Sequence, residues 1–228
     1  VERSNQKQPK MKTLADCEKF IDRVGMATVL PGKSPFTCLL WEAQGHQGSF
    51  SGDDPAFQNI WNWKDELPAK KLAFAGRLLG EQVLLVHRRL LPALLGLRGP
   101  VDADFMYEDG LLQRDAFRLW QILKSAENPL GRKELRRQLA LSDKSGASAF
   151  DRACKELESR LVMTRSGSAA MASGWDSNAY TLVERHFSDI APLPRKDSLS
   201  LVEQALRDAA PAATEVQLQR WMKRLGAG

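Results

Sequence analysis

Residues 113–187 hold the feature that most limits what this chain can fold into: three segments of helical periodicity followed by two runs of strand character. In residues 113–125, Phe117, Trp120, Ile122 and Leu123 recur at spacings that gather most of the bulky apolar groups on one helical face. Asn128, Pro129 and Gly131 break the pattern, and residues 132–139 resume it through Leu135 and Leu139, which predicts a helix of about two turns. A polar turn at residues 142–146 precedes Ala149, Phe150, Ala153, Cys154, Leu157 and Leu161, a third apolar stripe that predicts a helix to about residue 160. Residues 161–165 and 179–183 then read as short strands joined by a flexible tip of small residues at 166–174. Three helices and a hairpin in this order predict a winged helix-turn-helix unit.

In such a unit the third helix lies in the DNA major groove, while the second helix and the wing reach phosphates, so the polar faces should be basic. They are: residues 113–165 carry twelve Lys and Arg against seven Asp and Glu, a net +5 that equals the excess of the whole chain. The candidate DNA contacts are Arg132, Lys133, Arg136 and Arg137 on the second helix, Lys144, Ser148, Arg152 and Lys155 at and along the third, and Arg165 at the wing. These side chains are expected to face outward, toward the sugar-phosphate backbone of a duplex. The alternative is that Lys and Arg only solvate a helix face, or that the unit binds protein.

With 228 residues, 43% of them hydrophobic, the chain can bury a core for one large domain or two small ones. A pI near 9.2 favours anionic partners, double-stranded DNA first among them. Cys17, Cys38 and Cys154 are odd in number and far apart, which suggests neither a disulfide framework nor a metal knuckle and fits a reducing cytoplasm. The richest apolar stretch, residues 83–97, is interrupted by His87, Arg88, Arg89 and Pro92, so no membrane span is expected. Residues 1–12 are polar and basic and read as a disordered arm without an export signal. His87 and His186 have no Cys or carboxylate at ligand spacing, and no Gly-rich phosphate loop or nucleophile elbow occurs. No metal, cofactor, nucleotide hydrolysis or esterase chemistry is therefore expected.

Ahead of the three-helix stretch, Thr13 is a helix cap with Asp16 and Glu18 in the first turn, and Leu14, Cys17, Phe20, Ile21 and Val24 share one face before Gly25 ends the helix. Residues 38–43 read as helix rather than strand, between a Pro/Gly loop at 30–35 and a polar loop at 45–55. In residues 57–68, Trp61 and Trp63 are two apart and cannot share one helical face, so the segment is either extended or holds its two rings on different surfaces; a helix ending near Leu67 is the favoured reading. Residues 73–77 and 83–86 pair as strands around a turn at 79–82, and a helix follows at 88–97. The expected architecture is α+β and mostly helical. It comprises a basic tail (1–12), an N-terminal α+β domain open to a winged-helix-like arrangement (13–100), an acidic connector (101–112), the winged helix (113–187) and a C-terminal helical extension (188–228) with helices at 199–207 and 215–225.

Several short runs then carry a resemblance. They are Trp61-Asn62-Trp63-Lys64-Asp65-Glu66-Leu67-Pro68, Gly76-Arg77-Leu78-Leu79 ahead of an apolar strand, Leu90-Leu91-Pro92, and Phe150-Asp151-Arg152-Ala153 with Leu157 before the hairpin. Together, over roughly residues 14–187, the chain resembles the short AlkZ-related proteins of bacteria, relatives of the winged-helix DNA glycosylases of the AlkZ/YcaQ type. The resemblance implies a scaffold of winged-helix units that handles DNA in connection with damage repair. It also implies where to look for catalysis: those glycosylases use a Gln, one apolar residue, and a Gln or Asp to position water against the sugar carbon of an alkylated or crosslinked nucleotide. The nearest arrangement here is Gln44-Gly45-His46-Gln47, in a Gly-rich loop with no apolar residue between the glutamines, so the motif is not intact.

The residues themselves offer two chemical candidates. In the 45–55 loop, His46 has the right pKa range for a base, the Gln44 and Gln47 amides suit water orientation, and Asp53 or Asp54 suits a developing positive charge. The same composition is also that of an ordinary solvated connection. Trp41, Trp61 and Trp63 are each large enough to stack on an extruded base, with Lys64 on a flanking phosphate, but rings of this size more often pack in a core. Trp63, beside charged Lys64 and Asp65, is the one left most open to stacking, and Lys64 and Asp65 can equally form a solvated pair. Three readings stay open: a DNA-binding winged-helix protein without catalysis, a DNA glycosylase for alkylated or crosslinked bases, and a protein-interaction module using the acidic connector and terminal helices.

Overall fold

A three-stranded antiparallel sheet, covered by apolar side chains on both faces, lies at the centre of the computed structural model, which describes residues 11–142, 146–169 and 177–227. In chain order the first elements are α1 (Leu14–Val24), β1 (Met26–Thr28), α2 (Leu39–Gln44), α3 (Pro55–Ala69), β2 (Ala73–Gly76), β3 (Leu84–His87), a 3-10 turn at Arg88–Leu90 and α4 (Leu91–Arg98). The strands lie in the order β1-β3-β2, with Met26 and Phe74 both opposite Val86. Met26, Phe74, Leu84 and Val86 face one side, and Ala27, Ala73, Ala75 and Leu85 face the other, against α1, α2 and α3. Double coverage makes each strand a continuous apolar run instead of an alternating one.

The second group comprises α5 (Ala103–Glu108), α6 (Arg114–Ser125), β4 (Leu130–Gly131), α7 (Arg132–Gln138), α8 (Gly146–Ser159), β5 (Met163–Ala169), β6 (Ser177–Leu182) and α9 (Val183–His186). Leu119, Leu123, Leu135, Phe150, Leu157 and Tyr180 pack into a separate core. Its antiparallel sheet has the order β4-β6-β5, with Tyr180 opposite both Leu130 and Arg165. The chain then returns to the first sheet through α10 (Arg195–Ala209) and α11 (Glu215–Leu225). Val202, Leu206 and Trp221 join Met26, Phe74 and Leu94 in one cluster, and Trp221 stacks on Phe36 at 4.6 Å. Burying each such side chain contributes about 1.5–3 kcal/mol, so these helices, with α4, supply much of one face of the first core.

The fold is α+β, as the sequence predicts, but several local expectations change. β1 is a third strand that three residues are too few to announce through a period. The acidic connector contains a helix, α5, because the Asp102 carboxylate accepts from Phe105 N at 3.0 Å and caps it. Residues 1–10 of the expected arm lie outside the described residues, and Met11 is buried against α1 instead of free. β5 runs on through part of the expected tip, with a bulge between Arg165 and Ser168, while residues 170–174 lie outside the described residues. Val183 begins α9 instead of ending a strand. Among the described residues no helix is long and apolar enough to cross a membrane.

Candidate nucleic-acid interface

The two sheets are joined by a seam of polar contacts in otherwise apolar surroundings. Buried Thr164 of β5 accepts from Ala75 N of β2 at 3.1 Å through its hydroxyl. Glu158 of α8, wholly buried, accepts from Arg77 Nε at 2.7 Å, Arg77 N at 3.1 Å and Arg165 Nε at 3.1 Å. Burial lowers the Arg77 pKa, but the Glu158 charge and hydrogen bonds outweigh it, and the net shift is upward. Gly167 sits at φ +111 beside the bulge, and a Cβ there would lie 2.9 Å from Ala69 Cβ and 3.2 Å from Asp65 O. Only glycine tolerates both that dihedral and that approach, so the hairpin presses directly on the C-terminal half of α3.

This approach leaves a cleft of ≈ 390 Å³ between the two units. Thr28, Val29 and Leu30 follow from β1, Ala75, Val83 and Leu85 come from β2, β3 and the turn between them, Trp61, Lys64 and Asp65 from α3, and Arg132, Arg165 and Asn178 from the second unit. Lys64 Nζ lies 2.7 Å from Asp65 Oδ2 and 4.4 Å from the centre of the Trp61 ring, and Phe57 stacks on that indole at 5.5 Å. Arg132 forks onto Asp151, at 2.7 and 3.1 Å, above the Phe150 ring. The Arg132 hydrogen bond holds Asp151 below the usual carboxylate range against the opposing effect of burial. An aromatic face, three cations and one carboxylate thus share one concavity.

The structure distributes the sequence-derived candidates unevenly. Arg132, Arg165 and Lys64 line the cleft. Trp63 does not: it is 7% exposed in the core beneath α3, whereas Trp61 is 39% exposed. The expectation is reversed because Trp63 falls in register with Ile60 and Leu67 on the buried stripe. Lys133, Ser148 and Arg152 are exposed on α7 and α8, and Lys144 lies outside the described residues. Arg136 Nε donates to Leu141 O at 2.9 Å, Arg137 forks onto Glu134 of its own helix at 2.9 and 2.5 Å, and Lys155 pairs with Glu81. The arginines are therefore not aimed freely outward: Arg132, Arg137 and Arg165, and Lys155 with them, engage the chain's own carboxylates.

The polar loop after α2 also serves structure. Gln44 is buried and donates from Nε2 to Asp54 Oδ2 at 2.7 Å, while Asp54 Oδ1 accepts from Ala56 N at 2.8 Å and caps α3. His46, Gln47 and Asp53 are exposed, and none of these loop residues lines the cleft. His186 Nε2 donates to Pro68 O at 2.7 Å, and His87 Nδ1 lies 3.1 Å from Asp22. All three cysteines are free and buried, and burial pushes the Cys17 thiol up to about 12. Among the described residues no three His, Cys, Asp or Glu gather to hold a metal. Sequence reasoning missed Thr28, Glu158 and Asn178, since their roles depend on how the two units meet.

A family model described as AlkZ related matches residues 11–223. Among solved structures, a Streptomyces sahachiroi DNA glycosylase, AlkZ, aligns with a TM-score of 0.49 and 14% identity, covering 95% of this chain and 60% of that one. The chain thus spans less than two thirds of the length of that glycosylase. No curated protein matches.

Proposed function

The chain belongs to the AlkZ-related family, and on that premise we propose that it is a DNA-binding protein of the repair class that grips its substrate at the cleft between its two sheets. The observation that carries this reading is the convergence of Trp61, Lys64, Arg132 and Arg165 on one concavity. Its volume falls in the range of about 300–1,000 Å³ typical of ligand sites, which suits one extruded nucleotide. We read α6, α7, α8 and the β5–β6 hairpin as a winged helix with β4 as its third strand. Ser148 and Arg152, one turn apart on exposed α8, and Lys133 on α7 then extend the contact surface beyond the cleft. The existing ion pairs do not oppose this. A partly exposed pair such as Arg132–Asp151 is worth about 0–1 kcal/mol, so a phosphate can replace that carboxylate at little cost, whereas Arg165 keeps buried Glu158 on its Nε and offers phosphate its remaining N–H groups. A base stacking on Trp61 competes with the Lys64 ammonium, which then has a flanking phosphate as its next partner.

A second reading, hydrolysis of an N-glycosidic bond, draws on Asp65, the carboxylate that lies in the cleft itself. Positioned by its contact with Lys64, it would orient water or stabilise an oxocarbenium-like sugar, a role the Gln44–Gly45–His46–Gln47 run does not reach. One experiment addresses both readings: fluorescence anisotropy at low salt with intact duplex and duplexes carrying alkylated or crosslinked bases, followed by assay for abasic sites. Binding without base release supports the first reading, and base release that Asp65→Asn abolishes supports the second. No binding to any duplex would reject both and turn attention to the exposed apolar residues around α5, Val101, Phe105 and Leu111.

A further inference from the structure

A second basic concavity lies one to two turns farther along α8. Arg77, Arg98, Lys155, Arg160 and Arg224 line a pocket of ≈ 350 Å³, with Glu156 as the carboxylate in its wall among the described residues. Arg77 and Lys155 have close carboxylate partners in Glu158 and Glu81, whereas Arg160 reaches Glu156 only at 3.8 Å. Arg98 and Arg224 bond to neutral carbonyls: Arg98 Nη2 donates to Ser159 O, and Arg224 Nη1 to Leu79 O at 2.9 Å. Arg160 Nη2 likewise donates to Leu111 O at 2.6 Å.

These carbonyls explain why arginines are present but not why three of them converge. Arg98 and Arg224 occupy the last turns of α4 and α11, and Arg160 follows α8, positions where helix-end carbonyls attract cations. A carbonyl satisfies one N–H of a five-donor fork and neutralises none of its charge. Arg98 Nε is moreover buried without a hydrogen-bond partner, a costly state for a donor on a charged group. Burial, and then the neighbouring Arg160 charge, lower the Arg98 pKa. A multidentate anion would offset the clustered charge.

We infer that this pocket binds a phosphate group, with Arg98, Arg160 and Arg224 as its ligands. Planar guanidinium forks match the oxygens of phosphate bidentately, and an oxyanion would compensate the clustered charge. The group has two sources of the same chemistry: a small phosphate ester such as a nucleotide, or the backbone of DNA. For the second, Ser159 lies about 12 Å along α8 from Asp151, the partner of cleft-lining Arg132, so one strand could serve both sites. The inference does not depend on the function proposed for the cleft.

Titration of the 228-residue chain with orthophosphate, read by calorimetry and by thermal unfolding against sodium chloride of equal ionic strength, tests it. The wild type should show saturable binding and a raised Tm, weakened about tenfold or more in Arg98→Gln and Arg224→Gln, as loss of a charge-assisted bond requires. Arg224→Lys should retain part of the effect. Position 224 is exposed, so Arg224→Gln keeps the test decisive even if Arg98→Gln does not fold. If orthophosphate also displaces a labelled duplex from wild type but not from Arg224→Gln, the backbone is the source. If adenosine monophosphate binds without displacing duplex, a nucleotide is; either result supports the pocket. Orthophosphate acting no differently from chloride, or acting equally on Arg224→Gln, would overturn the inference.

Discussion

Glu158 accepts from Arg165 Nε at 3.1 Å with no part of its side chain open to solvent. Its other oxygen holds Arg77, so one carboxylate ties α8, the hairpin and the edge of the first sheet together and fixes the rear of the cleft. Removing one partner of a buried pair leaves the others uncompensated, and here two guanidinium groups would be stranded. Glu158→Gln should therefore lose about 3–5 kcal/mol, read as a lower urea midpoint. A loss below about 1 kcal/mol would show that the seam does not hold the units together.

The two tryptophans of α3 should separate stability from binding. Trp63→Ala empties a core site and should cost about 3–5 kcal/mol while leaving the affinity of the folded fraction for duplex unchanged. Trp61→Ala should change stability by no more than about 0.5 kcal/mol yet weaken duplex binding about tenfold, through lost stacking. The opposite assignment of effects would restore Trp63 as the ligand-facing ring.

Gln44→Ala offers a contrast within the other candidate site. Gln44 steadies Asp54, which caps α3, so the variant should lower Tm by about 2–4 °C and leave DNA affinity unaltered. A loss of binding or base release at unchanged Tm would instead place chemistry in that loop.

These contrasts mark what the chain discloses on its own. Phe117, Trp120, Leu135, Phe150 and Leu157 announce their helices because each stripe faces one core, and periodicity records one-sided burial well. β1 is covered on both faces and only three residues long, so it has no period to read. Trp61 and Trp63 are distinguishable only by register against Ile60 and Leu67, and their charged neighbours point to the wrong ring. The cleft is less legible still. Lys64, Arg132 and Arg165 stand out by charge, but their grouping depends on Gly167 letting the hairpin meet α3, a contact between residues about 100 positions apart. Separation along the chain likewise hides the carboxylates that hold the arginines: Glu158 binds Arg77 of the other unit, 81 positions away, and Asp151 of α8 reaches Arg132 of α7, 19 positions away.

Acid should weaken the fold through His186. Burial, the largest cause, lowers its pKa below the ordinary value of 6.5, so between the folded and ordinary values the unfolded chain binds more protons. Stability is therefore intact above about pH 6.5 and falls as pH drops through that value toward the lower folded pKa. His186→Gln should be less stable at pH 7.5, having lost the histidine contact to Pro68 O, but should show a flatter pH dependence between about 5 and 7. Equal pH slopes for both proteins would show that His186 is not the group responsible.

Lys64 provides the most direct measurement of the central claim, because it lies in the cleft and its bonded partner is its own neighbour, Asp65. Duplex affinity should be measured from low to moderate salt for wild type and Lys64→Gln, with Tm as the control for folding. The account predicts an unchanged Tm, weaker binding and a log–log salt slope shallower by about 0.9, the signature of one lost phosphate contact. Identical affinity and identical slope in the two proteins would contradict it: DNA would not be held in the cleft.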